Sequence, residues 1–184
     1  MPTKSTIYLI CGCNGAGKTT FAQQFLAEEV HCVNFFNPDF LAQGLSPTLE
    51  SGAIKAGRLI LQRVRQALKK RESFGLESAL SGKSYVRLLK EAREFGYEIE
   101  VHYQWISSAE RAVERVRLRR MRGGHDVPEI DVRRRFERSL KNLFSDYLPL
   151  AQRWVIWDNN SLPGKPLATS ATHSILNAKR LLNL

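Results

Sequence analysis

Gly12-Cys13-Asn14-Gly15-Ala16-Gly17-Lys18-Thr19, with Thr20 behind it, fits the spacing G-x-x-x-x-G-K-[ST]. Small residues let the backbone bend until successive N–H groups converge on phosphate oxygens, and the helix start beyond adds its positive end. Lys18 has the reach for β- and γ-phosphates, and the hydroxyl of Thr19 suits Mg²⁺. The stretch therefore reads as a site for a nucleoside triphosphate and Mg²⁺. Two carboxylates sit where strands are expected to end: Asp39 after the second apolar run, and Glu77 closing the third. In an open parallel sheet those strand ends line the ligand crevice. An acid there can accept the proton of an attacking hydroxyl or help hold Mg²⁺. Asp39 also suits a helix first turn and Glu77 a solvated strand end. Their place opposite the phosphate loop favours chemistry.

A third group is basic. Residues 111–138 hold ten Arg against five Asp or Glu, half of the chain's net +10. Arg111, Arg115, Arg119 and Arg122 fall on one helix face. In the next helix Val132, Phe136, Leu140 and Leu143 share an anchoring face, and Gly123-Gly124 lies between as a hinge. The pattern reads as a lid at about 111–138. Arg119 and Arg135, then Arg134, are its best candidates for stabilising charge on a transferring phosphoryl group. Arg122 is a weaker candidate, while Arg111, Arg117 and Arg138 read as solvated. Arg58 suits either an acceptor pocket or an external ion pair, and His125 either a phosphate contact or a turn. Asp158-Asn159 falls where such folds present backbone to adenine, yet both residues are also turn formers.

The elements that must position these groups alternate. TIYLIC (6–11), HCVNFFN (31–37), SFGLE (73–77), 98–106 and RWVIWD (153–158) read as strands. Helices are expected from about Lys18 to Ala27, from Leu49 to Arg71, over 85–95 with Gly96 as C-cap, over 111–122 and 129–147, and from Thr169 to Leu182. Asn37 is placed to cap a helix opening at Pro38. The expectation is an α/β fold of P-loop NTPase type: a small-kinase-like three-layer sandwich with a five-stranded parallel sheet and a helical lid.

At 184 residues the chain reads as a single domain, 1–184, with ordinary globular composition (43% hydrophobic, 25% charged). The charge points to anionic partners. Three cysteines without a CxxC pair suggest reduced thiols and a cytoplasmic protein. The apolar start is too short for a secretory signal, and no run approaches membrane-spanning length.

GCNGAGKTT, FFNPD, FGLESALSGKSY, GGHDVP and RRRFERSLKNL together resemble the zeta-toxin-like family of small P-loop kinases, from the first strand through WDNN. The resemblance implies ATP/Mg²⁺-dependent phosphorylation of a hydroxyl, which for zeta toxins themselves belongs to UDP-N-acetylglucosamine, a UDP-amino sugar. It implies Asp39 as general base, Glu77 as the acid positioning substrate or metal, and Lys18 and Thr19 as phosphate and Mg²⁺ ligands. An antitoxin protein stays open as a partner. The chain departs from the family pattern at Ala79, where threonine is usual, and at Gln152, where an acid is common.

Three functions compete: a small-molecule kinase, a polynucleotide 5′-hydroxyl kinase, and a non-catalytic nucleotide-dependent RNA-binding switch. A switch needs neither strand-end acid nor arginine lid. Charge concentrated in the lid, without interleaved aromatics, argues against nucleic acid. Trp105, Trp154 and Trp157 lie in expected strands and read as core.

Overall fold

The computed structural model of the protein describes residues 4–37, 49–124, 126–161 and 163–184. Pro38, Asp39 and His125 lie outside the described residues. The order is β1 (Thr6–Cys11), α1 (Lys18–Gln24) continued by a π turn (Phe25–Glu29), β2 (Phe35–Phe36), α2 (Leu49–Lys70), β3 (Phe74–Ser78), α3 (Ser84–Glu94) and β4 (Glu98–Trp105). Then come α4 (Ala109–Met121), α5 (Glu129–Asn142) with a π turn (Leu143–Tyr147), β5 (Arg153–Asp158), β6 (Lys165–Thr169) and α6 (Ile175–Leu181).

Strand order is β2-β3-β1-β4-β5-β6. β1 is flanked by two parallel neighbours and covered on both faces, which accounts for its unbroken apolar run. Among the described residues the sheet has six strands, correcting the five-stranded parallel expectation. β6 runs antiparallel to β5, with an irregularity at Ile156/Trp157. KPLAT hides its strand character behind Pro166, which an edge strand tolerates because no inner neighbour needs its missing N–H. The last helix consequently starts at Ile175, where Ser174 caps it by accepting from Asn177 N. β2 shrinks to two residues, because His31 adopts φ +47° and Val33 is 92% exposed.

The core lies mainly on one face. There Ile60 and Val64 of α2, Leu88 and Leu89 of α3, Leu140 of α5 and Ala178 of α6 cover Leu9, Phe74, Leu76, Val101 and Ile156. On the other face α1 packs Ala22 and Leu26 over Ile10. Gly75 of β3 lies under that helix, since a Cβ there would meet Leu26 Cδ1 at 2.5 Å. Tyr103 Oη is 3.1 Å from Ser139 Oγ, and Asn142 Nδ2 donates to the Leu80 carbonyl at 2.7 Å, tying α5 to the chain leaving β3. Trp154 is core as expected, whereas Trp105 and Trp157 are half-buried.

Candidate active site

The phosphate loop opens where β1 ends and closes into α1, as the residue types require. Each part of it leans on a different element. Gly12 packs against the Gln104 carbonyl at the end of β4, where a Cβ would come within 2.5 Å. Gly15 backs onto the Ala112 carbonyl of α4. Cys13 and Ala16 are buried with Ile106, Ala112, Val116, Val127 and Val132, so the loop shares a small core with the base of the lid. Burial pushes the Cys13 thiol up to about 11. Asn14 is 5% exposed, and its Oδ1 is buried without a hydrogen-bond partner among the described residues. Thr20 faces solvent.

Lys18 is 8% exposed and donates from Nζ to the Cys13 carbonyl at 3.0 Å, which holds the ammonium over the loop. Thr19 Oγ1 lies 2.9 and 3.1 Å from the two oxygens of Glu77. Glu77 is 4% exposed and also accepts from Asn37 Nδ2 at 2.8 Å. Buried carboxylates persist only when donors or cations satisfy them. The parallel register sets Glu77 beside Ile10, on the face that α1 covers, so the carboxylate meets the first turn of that helix.

Thr19 and Glu77, 58 positions apart in sequence, thus meet beside Lys18. Asn37 joins them; sequence reading assigned it only a local cap, because a donor to a residue forty positions away leaves no local signature. Thr19 and Glu77 offer oxygen donors alone, which fits a hard cation such as Mg²⁺. Asp39 lies outside the described residues.

The two helices expected to form a lid are present: α4, capped by Ser108, which accepts from Arg111 N, and α5 beyond the Gly123-Gly124 turn. Arg119 is exposed on the last turn of α4, and its stem packs against Gly124. Arg134 is exposed and paired with Asp131, three residues back on α5, while Arg135 is half-buried. Arg133 bridges the two helices by donating to Glu110 at 2.6 Å and to Glu129 at 2.8 Å. Arg111 and Arg115 do not point free: Arg111 donates to Asn160 Oδ1 at 2.8 Å and Arg115 to the Asn160 carbonyl at 3.0 Å. Arg111 is exposed, in keeping with its solvated reading, and is also tethered to a partner 49 residues away. Gln152, at the position of a usual acid, accepts from Ile99 N at 2.7 Å through Oε1, a backbone-satisfying role.

Arg58, Arg63, Arg65 and Lys69 are exposed on α2, with no hydrogen-bond or ion-pair partner among the described residues. α2 carries six Lys or Arg against Glu50 alone, so the charge excess is shared between this helix and the lid.

The zeta toxin family profile matches residues 2–161. The chain belongs to the zeta toxin family. An uncharacterized protein of Haemophilus influenzae is 33% identical over 137 residues, covering 74% of this chain and 94% of its own. Among solved structures, a chain of the PezAT chromosomal toxin–antitoxin system of Streptococcus pneumoniae superposes with a TM-score of 0.68 at 17% identity, covering 100% of this chain and 79% of that one. A chain of the AvrRxo1-ORF1:-ORF2 complex gives 0.68 at 18% identity, over 98% of this chain and 63% of that one. Zeta toxin family membership and the P-loop kinase fold together support a nucleotide-dependent phosphotransferase. No helix among the described residues is long and apolar enough to cross a membrane.

Proposed function

We propose that the chain transfers the γ-phosphoryl group of ATP, with Mg²⁺, to a hydroxyl of a small molecule, and that a UDP-amino sugar such as UDP-N-acetylglucosamine is the acceptor. The observation that carries the reading is the contact of Thr19 with buried Glu77 beside Lys18. A bare P-loop serves many chemistries; a loop hydroxyl facing a strand-end acid is a site for a metal–nucleotide complex next to an acceptor.

Lys18 leaves the Cys13 carbonyl and places its charge on the β- and γ-phosphates. Thr19 and Glu77 would hold the cation. Mg²⁺, when bound, would neutralise charge on the phosphates. Asp39 accepts the proton of the acceptor hydroxyl as its oxygen forms the new P–O bond and ADP departs with the bridging oxygen. Arg119 and Arg135, with Arg134 once released from Asp131, close over the developing charge and exclude water.

Labelled ATP offered with UDP-sugars, nucleosides and 5′-hydroxyl oligonucleotides tests the assignment. Label on the UDP-amino sugar is expected. Label on oligonucleotides alone would favour a second reading, a polynucleotide 5′-hydroxyl kinase, which the exposed cations on α2 support. ATP binding with no transfer to any acceptor would point to a nucleotide-dependent switch. An antitoxin protein belongs to the same proposal, supported by structural neighbours from toxin–antitoxin assemblies. So does a cytoplasmic location, in keeping with three unpaired cysteines.

A further inference from the structure

The phosphate loop is pinned by a residue from beyond its own strand–loop–helix unit. Asn159 directly follows β5 and is 3% exposed. Its backbone N–H donates to the Trp105 carbonyl at 2.8 Å, which fixes it at the end of β4. Its side-chain Nδ2 donates to the Ala16 carbonyl, 143 residues away in sequence. Gly17 follows Ala16 with φ +87°, and a Cβ there would lie 2.6 Å from Asn159 Nδ2. On the other side a Cβ at Gly164 would lie 2.8 Å from Asn159 Oδ1. The amide is therefore clamped between two glycines, and it fits only because neither carries a side chain.

The next residue faces the lid. Asn160 Oδ1 accepts from Ser107 N at 2.9 Å as well as from Arg111, and Asp158 Oδ1 accepts from Asn160 N at 2.9 Å. Three consecutive residues, the last of β5 and the two that follow, thus fasten the loop on one side and the root of α4 on the other.

We propose that Asn159 is a positioning residue for nucleotide binding, acting through the Ala16–Gly17 peptide. A trans peptide is planar, with its carbonyl and N–H pointing in opposite directions. Holding the Ala16 oxygen on the outside of the loop turns the Gly17 N–H inward, toward the phosphates. Without the clamp that plane is free to rotate, and one phosphate donor is lost from the preorganised set. The inference rests on the reading that this loop holds the phosphates of ATP.

The test measures Kd for a fluorescent ATP analogue, and the nucleotide-free unfolding midpoint, on Asn159→Ala, Asn159→Asp and Gly164→Ala. Aspartate keeps the shape of asparagine but presents an oxygen to the Ala16 carbonyl. Alanine at 164 pushes the amide from the side away from the loop. All three are expected to raise Kd about tenfold, the order of one well-placed hydrogen bond. Kd within twofold of wild type in the folded variants, even with lowered midpoints, makes Asn159 a stability residue and overturns the proposal. Weakening in the alanine variant at 159 but not in the aspartate one means that the side chain only fills space, and overturns it equally. Lys18→Ala run alongside separates the two levels. If wild type and Lys18→Ala bind the analogue alike, the phosphate-loop reading itself fails; if only Lys18→Ala loses binding, the loop stands and the Asn159 role falls.

Discussion

Thr19 Oγ1 lies within hydrogen-bond reach of both oxygens of Glu77, a residue 58 positions further along the chain. The hydroxyl comes from the first turn of α1 and the carboxylate from the end of β3. β1 holds the two in place, because it leads into the loop on one side and pairs Ile10 with Glu77 on the other. A cation between them would exchange one hydrogen bond for two coordination bonds without moving either backbone.

Glu77→Gln keeps the shape of the side chain but removes its charge. Turnover is expected to fall, and the Mg²⁺ concentration for half-maximal rate to rise about tenfold, the factor by which weakened ligation commonly costs metal affinity. A Mg²⁺ titration of the rate measures both. If neither changes, Glu77 has a structural role rather than a metal-holding one.

Lys18→Ala removes the loop's side-chain cation. Isothermal titration is expected to show weakened ATP binding, with turnover abolished. Retained affinity together with retained turnover would take Gly12–Thr19 out of the site.

Asp39→Asn tests the general base. ATP affinity is expected within a few-fold of wild type while kcat falls by roughly 10²–10⁴, the usual range for such a group. A variant that melts early yet turns over normally would make Asp39 a structural acid.

Arg119→Ala and Arg135→Ala are each expected to lower kcat strongly with little change in ATP affinity, because their charge matters most where negative charge develops. Arg138→Ala, exposed on α5, is the control. Should the first two instead weaken oligonucleotide binding, each lowering the salt slope by close to one counterion, the arginines are a nucleic-acid surface.

Burial holds Cys11 and Cys13 protonated well above the ordinary thiol range, with Cys13 at about 11. A raised folded-state value gives stability that is complete below the unfolded thiol value and lost as pH climbs toward the folded one. The unfolding midpoint is therefore expected to be level from pH 7 to about 8.5 and to decline above it, the unperturbed thiol value marking the break. Cys13→Ala should make that decline shallower. An identical slope in the variant would show that other groups, such as buried Tyr103, govern the alkaline limb.

What could be read in advance was whatever is local. The phosphate loop, the limits of β1 and β5, and the C-cap at Gly96 (φ +82°) follow from residue types within one turn or strand. Glu77 was legible because a strand end in a parallel sheet has a known place. β6 was not, since a five-residue edge strand containing proline resembles the loop around it. The double role of Asn159 and Asn160 was hidden for another reason. An Asp-Asn-Asn run reads as a turn, and nothing nearby tells that its partners lie on the phosphate loop and the lid helix.

The absent side chain at Gly75 has a bearing on heredity as well as on packing. Leu26 occupies the space a Cβ would need, with Phe35 Cδ2 only 3.2 Å from the same point. Any residue larger than glycine there must push the Leu26 side chain aside, unless position 26 shrinks at the same time. Positions 75 and 26 should therefore change together or not at all among descendants of this sequence. A lineage that acquires the larger residue first passes through an intermediate in which Leu26 must repack against the strand bearing Glu77.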